Sequence, residues 1–107
     1  MIFAFATDEK TLFVFPDEEK AIFHCEGFDV SQGEWLFFAS NGSPLEPAFS
    51  VPTSEKGFVI THGRYSLRPN TSENLSSLIR LLPEVLAVEG NHSFNSVAEI
   101  IPSLHFQ

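Results

Sequence analysis

Cys25 and the four histidines, His24, His62, His92 and His105, are the side chains here whose types suit nucleophilic or metal chemistry. A thiolate activated by an imidazole would attack carbonyl or phosphoryl groups. His24 adjoins Cys25, and neighbours on a helix point about 100° apart, so these two cannot pair with each other. A Cys-His nucleophile would need His62, His92 or His105, and a buried structural thiol is the commoner role for a lone cysteine. Zinc ligands come in close pairs such as Cys-x-x-Cys or His-x-x-x-His, and neither occurs, so no metal site is expected. The glycine patterns of phosphate-binding loops and the nucleophile elbow are missing, and no cofactor is expected. A small cysteine-dependent enzyme stays as an alternative that requires Cys25 exposed beside a histidine.

The carboxylates are the other candidates. Residues 1 to 55 carry ten acids and two bases, a balance of −8, whereas residues 56 to 107 carry four of each. The whole net charge of −8 therefore sits in the N-terminal half. Such a field repels nucleic acid and anionic lipid, speeds encounter with a basic partner and keeps a small domain soluble. Glu26, Asp29 and Glu34 fall close together in sequence, with Glu46 across a turn from them, and Trp35 or Phe49 would supply an apolar anchor. Asp17, Glu18 and Glu19 are contiguous, so on a helix they fan out and suit the positive end of its dipole better than a cation site. Arg64, Tyr65 and Arg68 form the only basic-aromatic cluster in the C-terminal half, and they would also serve as ion-pair partners for the acidic excess.

The elements that must position these residues follow from spacing. Trp35-Leu36-Phe37-Phe38 carries bulk on both faces, which predicts a central strand covered on both sides. Asn41-Gly42 tolerates the positive φ of a tight turn, with a return strand through Pro47 to Val51 that begins late or lies at an edge because Pro44 and Pro47 remove ladder donors. Ile2–Ala6 and Thr11–Phe15 read as a hairpin across Thr7 to Lys10, with Phe3, Phe5, Phe13 and Phe15 together starting the core. Pro16 opens a helix running to about Glu26, its inward residues Ala21, Ile22 and Cys25 and its stop Gly27. Gly57 to His62 and Arg64 to Arg68 read as a hairpin around Gly63. Asn70 with Glu73 resembles a capping box, and Leu75, Leu78, Ile79 and Leu82 keep helical spacing. Pro83 begins a short helix from Glu84 to Glu89. Ser96 with Glu99 caps a last helix whose apolar face is Val97, Ile100, Ile101 and Leu104, with Pro102 as a distortion.

Phe5-Ala6-Thr7-Asp8-Glu9-Lys10-Thr11-Leu12-Phe13-Val14-Phe15-Pro16, Cys25-Glu26-Gly27-Phe28-Asp29-Val30, Glu34-Trp35-Leu36-Phe37-Phe38 and Pro44-Leu45-Glu46-Pro47 carry a resemblance. In these runs the chain resembles immunity proteins of bacterial contact-dependent growth inhibition and related polymorphic toxin systems. It looks most like the partners of pancreatic-ribonuclease-like toxin domains. The likeness covers the first half well and the C-terminal half loosely. It implies a cytoplasmic protein that binds one basic nuclease toxin domain and covers its active site.

The expectation is a single α+β domain over residues 1–107, an antiparallel sheet of about six strands with one helix inserted after the second strand and further helices at the C-terminus. The expected partner contacts are Glu26, Asp29, Glu34, Glu46, Trp35 and Phe49. Met1 to Ala6 lacks a basic leader and is too short for a membrane span, so it reads as an edge of the fold and the protein as soluble and cytoplasmic. A general protein-binding or scaffold domain without toxin specificity is the other alternative.

Overall fold

The computed structural model describes residues 1–57, 59–61, 63–71, 77–90, 94 and 96–105, with the backbone alone at 60, 61 and 105. Strands β1 (Ile2–Ala6) and β2 (Thr11–Phe15) form the expected hairpin. Its register sets Phe3 opposite Val14 and Ala4 opposite Phe13. Phe3 and Phe5 therefore share a face with Leu12 and Val14, while Phe13 and Phe15 point to the other face. The four phenylalanines begin two cores, which corrects the expectation of one.

Helix α1 (Glu18–His24) starts where the acids stand, but Pro16 lies ahead of its cap and not in its first turn. Asp17 is the N-cap, its carboxylate accepting the Lys20 N–H at 2.8 Å. Glu18 accepts the Leu67 N–H, so one acid holds the helix to a strand edge. Ala21 and Cys25 are buried and Ile22 packs beside them, as their spacing requires. Gly27 does not stop the chain. It begins a second short helix, α2 (Gly27–Ser31).

Strands β3 (Trp35–Phe38) and β4 (Pro44–Val51) flank the Asn41-Gly42 turn. Gly42 has φ +86°, and the Asn41 side chain accepts the Ser43 N–H at 2.9 Å. Strands β5 (Ser54–Lys56) and β6 (Val59–Thr61) make a separate ribbon, and β7 (Arg64–Pro69) pairs with β4. The expected hairpin around Gly63 is thus replaced by one turning at Gly57; Phe58 and His62 lie outside the described residues. Gly63, at φ +68°, is needed for another reason. A Cβ there would stand 2.2 Å from the Val51 carbonyl oxygen, so the close pass of two backbones admits no side chain.

The Asn70 N–H donates to the Pro44 carbonyl and extends the β4–β7 ladder. Glu73 and Leu75 lie outside the described residues. Helix α3 (Leu78–Leu81) has Ser77 as its N-cap, and the Leu78 N–H donates to Gly42 O at 2.8 Å. A 3₁₀ turn (Leu82–Glu84) carries Pro83, and β8 (Ala87–Glu89) follows where a helix was expected. The free outer edge of β2 decides this: β8 pairs with it in parallel, and the Leu86 N–H joins Lys10 O. Helix α4 (Val97–His105) contains Pro102 and buries Ile100 and Leu104, but leaves Ile101 exposed.

The main sheet runs β7-β4-β3-β1-β2-β8, so β3 is interior as expected and β1, expected at an edge, is interior too. The fold is α+β with a mixed six-stranded sheet. One face packs Ala4, Phe15, Phe37 and Tyr65 against Ala21, Cys25 and Val30 of the α1–α2 side. The other packs Phe3, Phe5, Leu12, Val14 and Phe38 against Leu78, Leu82, Ile100 and Leu104. Among the described residues no helix is long and apolar enough to cross a membrane.

A buried hydrogen bond ties the two ends of the first face together: the Tyr65 hydroxyl donates to the Cys25 carbonyl at 2.5 Å, at the C-terminal cap of α1. Tyr65→Phe should leave that carbonyl without its donor and cost about 1–3 kcal/mol. Urea denaturation of the two proteins checks it, with an unchanged midpoint as the contrary result.

Candidate functional site

Three backbone connections gather carboxylates at one end of the sheet. The Thr7 N–H donates to Glu34 O at 3.0 Å, which fixes the β1–β2 turn beside the start of β3. The Thr7 hydroxyl donates to the same carbonyl at 3.3 Å. After α2 the chain turns tightly: Gln32 N–H donates to Phe28 and Asp29 carbonyls, Gly33 N–H to Val30, and Glu34 N–H returns to Asp29 O at 3.1 Å. Glu34 is thereby folded back over the helix that carries Asp29. Asp8 and Glu9 from the turn, Asp29 from α2 and Glu34 ring a shallow depression of about 240 Å³ floored by Ala6 and Trp35.

A like charge nearby disfavours the ionised form of a carboxyl. The carboxyl of Glu34 is raised above its ordinary value of 4.5, first by the hydrogen bond it shares with Asp29, then by desolvation and by the charges of Asp29 and Asp8. No basic side chain among the described residues forms an ion pair with these four acids. Ion pairs elsewhere are Lys10–Glu84 at 3.8 Å and Arg68–Glu46 at 2.7 Å.

The six expected contact residues are divided by this geometry. Asp29, Glu34 and Trp35 come together. Glu26, the N-cap residue of α2, lines a different depression with Ile22, Phe23, Gly27, Arg64 and Tyr65. Glu46 stands on β4 with its charge locally matched by Arg68 across the strand pair. Phe49 is half-buried and packs on the Tyr65 ring, with centroids 5.3 Å apart. Trp35 is half-buried between the Phe13 and His24 rings, at 5.4 and 5.8 Å, so its orientation is held by packing.

Asp8 and Glu9 stand in the β1–β2 turn, and nothing in the sequence places that turn against α2. Phe23 was passed over as well. It lies 90% exposed on α1, outside the inward stripe of Ala21, Ile22 and Cys25, and that offset from the helical period was the available signal.

The thiol does not meet the requirement set for a nucleophile. Cys25 is fully buried and its pKa is pushed up to about 12, chiefly by burial and secondarily by the charge of Asp29. Such a thiol is almost wholly protonated at neutral pH. The side chains of His62, His92 and His105 lie outside those described. No group of three His, Cys, Asp or Glu side chains among the described residues is arranged to hold a metal ion. What the four-carboxylate depression can do is receive cationic groups, because ammonium or guanidinium donors form charge-assisted hydrogen bonds with carboxylates.

The pairing of Glu34 with Asp29 has a stability consequence with a definite sign. A carboxyl raised on folding contributes stability that is full below about pH 4.5 and is lost as pH rises through the raised value. Glu34→Gln keeps a donor toward Asp29 at every pH. Its thermal midpoint should exceed the parent's at pH 7, and the difference should vanish on acidification below about pH 4.5; equal midpoints at pH 7 would be the opposite finding. The chain matches no family model, no curated protein and no solved structure among those compared.

Proposed function

We propose that this chain is an immunity protein that binds one cognate toxin domain, a basic nuclease, in the cytoplasm and neutralises it by covering its active site. The observation that carries the reading is the depression formed by Asp8, Glu9, Asp29 and Glu34, a like-charge group without an ion-pair partner among the described basic side chains. A nuclease presents cationic groups to the phosphates of its substrate, and carboxylates held on a folded surface occupy the same places. The depression is built from short, backbone-fixed connections, so little conformational entropy is lost when a partner docks. The resemblance of the runs Phe5 to Pro16, Cys25 to Val30 and Glu34 to Phe38 to immunity proteins supports the same partner class. Of the residues expected from sequence to touch the toxin, Asp29, Glu34 and Trp35 form the centre of the contact and Asp8 and Glu9 join them; Glu46 lines the neighbouring cleft that also borders Trp35, and Glu26 and Phe49 lie outside.

Coexpression with a panel of nuclease toxin domains tests this. Growth should be rescued against one toxin and not the others; rescue against none, or equal binding to all, would favour a general scaffold. With the cognate toxin, association should slow as salt rises, because the steering charges are screened. Asp29→Lys should slow association at least tenfold at low salt while Glu55→Lys, on the separate ribbon, leaves it near the parent rate. A salt-independent rate, or equal losses in the two variants, would remove the carboxylate depression from the interface.

A further inference from the structure

Strands β3 and β4 pair only at Phe37–Leu45 and Phe38–Pro44. The reason lies in the alternation of an antiparallel ladder. Pro44 turns its carbonyl to Asn70 on the β7 side, so Leu45 and then Pro47 turn theirs toward β3. Pro47 has no N–H to give to Trp35, its next partner in that register, and the ladder stops. On the opposite edge β4 stays paired with β7 as far as Val51. The two strands part, and the opening is a cleft of about 240 Å³ whose walls include Leu36, Phe38, Pro44, Leu45, Pro47 and Leu81.

This cleft is below the roughly 300–1,000 Å³ of pockets that enclose drug-sized ligands, and it suits a single bulky side chain. Leu36 at its mouth is 41% exposed. Trp35 belongs to both the cleft and the carboxylate depression, so the two are continuous along β3. Successive side chains of an extended segment point to opposite faces. A segment lying along the β3 edge with an apolar residue in the cleft therefore turns its neighbouring residues toward the side where Asp29 and Glu34 stand.

We infer that the cleft between β3 and β4 seats one apolar side chain of an extended, basic segment of the partner protein, whose adjacent Lys or Arg reaches the carboxylates beside Trp35. This rests on the toxin-binding reading for the identity of the partner, and on the cleft, the interrupted ladder and the charge beside it for the chemistry of the segment. The occupant is a basic and apolar peptide segment, not a free small molecule or a second copy of this chain.

Trp35 is the chain's only tryptophan, so its emission reports on this place alone. Three blocked eight-residue peptides serve as probes: alternating Lys and Leu, alternating Lys and Ser, and alternating Glu and Leu. The Lys-Leu peptide should shift Trp35 emission saturably and bind at least tenfold more tightly than either of the others. Leu36→Ser, which alters a surface wall of the cleft, and Pro47→Val, which returns the missing ladder donor and lets the strands close, should each weaken that binding at least fivefold with the far-ultraviolet circular dichroism unchanged. Equal binding of the three peptides, unchanged affinity in both variants, or an emission shift driven by protein concentration without peptide would overturn the proposal. Peptide binding at Trp35 without rescue by any toxin would leave the cleft as a basic-peptide site and remove the immunity reading. Rescue without peptide binding would keep the immunity reading and remove the cleft.

Discussion

The structure depends on β1 and β3 being buried on both faces at once. Phe3, Phe5 and Phe38 on one side and Ala4 and Phe37 on the other are buried, so apart from the Trp35–Leu36 end of β3 neither strand has a face open to water. Burying a large apolar side chain contributes about 1.5–3 kcal/mol. Two covering layers are therefore required, and the chain supplies them in sequence order: α1 and α2 before β3, then α3 after β7 and α4 after β8. The carboxylate end of the sheet follows from how the first layer is attached.

That attachment uses short connections with few degrees of freedom. Because α2 must return directly into an interior strand, Glu34 bonds back to Asp29, and because β1 must turn into β2 beside it, Thr7 bonds to Glu34. The carboxylates are placed by backbone hydrogen bonds, and the side chains carry the electrostatic cost. Functional surfaces often hold such strain, because the groups that complete them belong to the partner. A cation-bearing partner would relieve the crowding of Asp8, Glu9, Asp29 and Glu34, which is why the depression and not the diffuse acidic half of the chain is the centre of the proposed contact.

Much of the fold was legible in the residues. The apolar run at Trp35–Phe38, the Asn41-Gly42 turn, the hairpin of Phe-rich strands and the Ala21–Cys25 stripe each state a local preference that the tertiary structure keeps. The misreadings lie where a distant element decides. Glu84–Glu89 had helix signals on both flanks, but the unpaired edge of β2 claims it as a strand. Site residues divide the same way: Asp29 and Glu34 are near in sequence and meet, whereas Glu46 meets Arg68 and Asp8 and Glu9 join through a turn-to-strand contact that no spacing encodes. Pro44 and Pro47 predict a return strand that begins late or lies at an edge, but β4 begins at Pro44 and lies between β3 and β7; the lost donor of Pro47 instead interrupts the β3 ladder, which only the register shows.

The central claim is that Glu34 and its neighbours form a cation-receiving group whose internal repulsion is relieved by the partner. Carbon-detected nuclear magnetic resonance titration of the side-chain carboxyls, with and without the cognate toxin domain, tests this most directly. Glu34 should titrate above the ordinary carboxylate value in the free protein and fall toward or below it in the complex. A Glu34 that titrates at the ordinary value when free, or that is unmoved by a toxin that binds, would contradict the account.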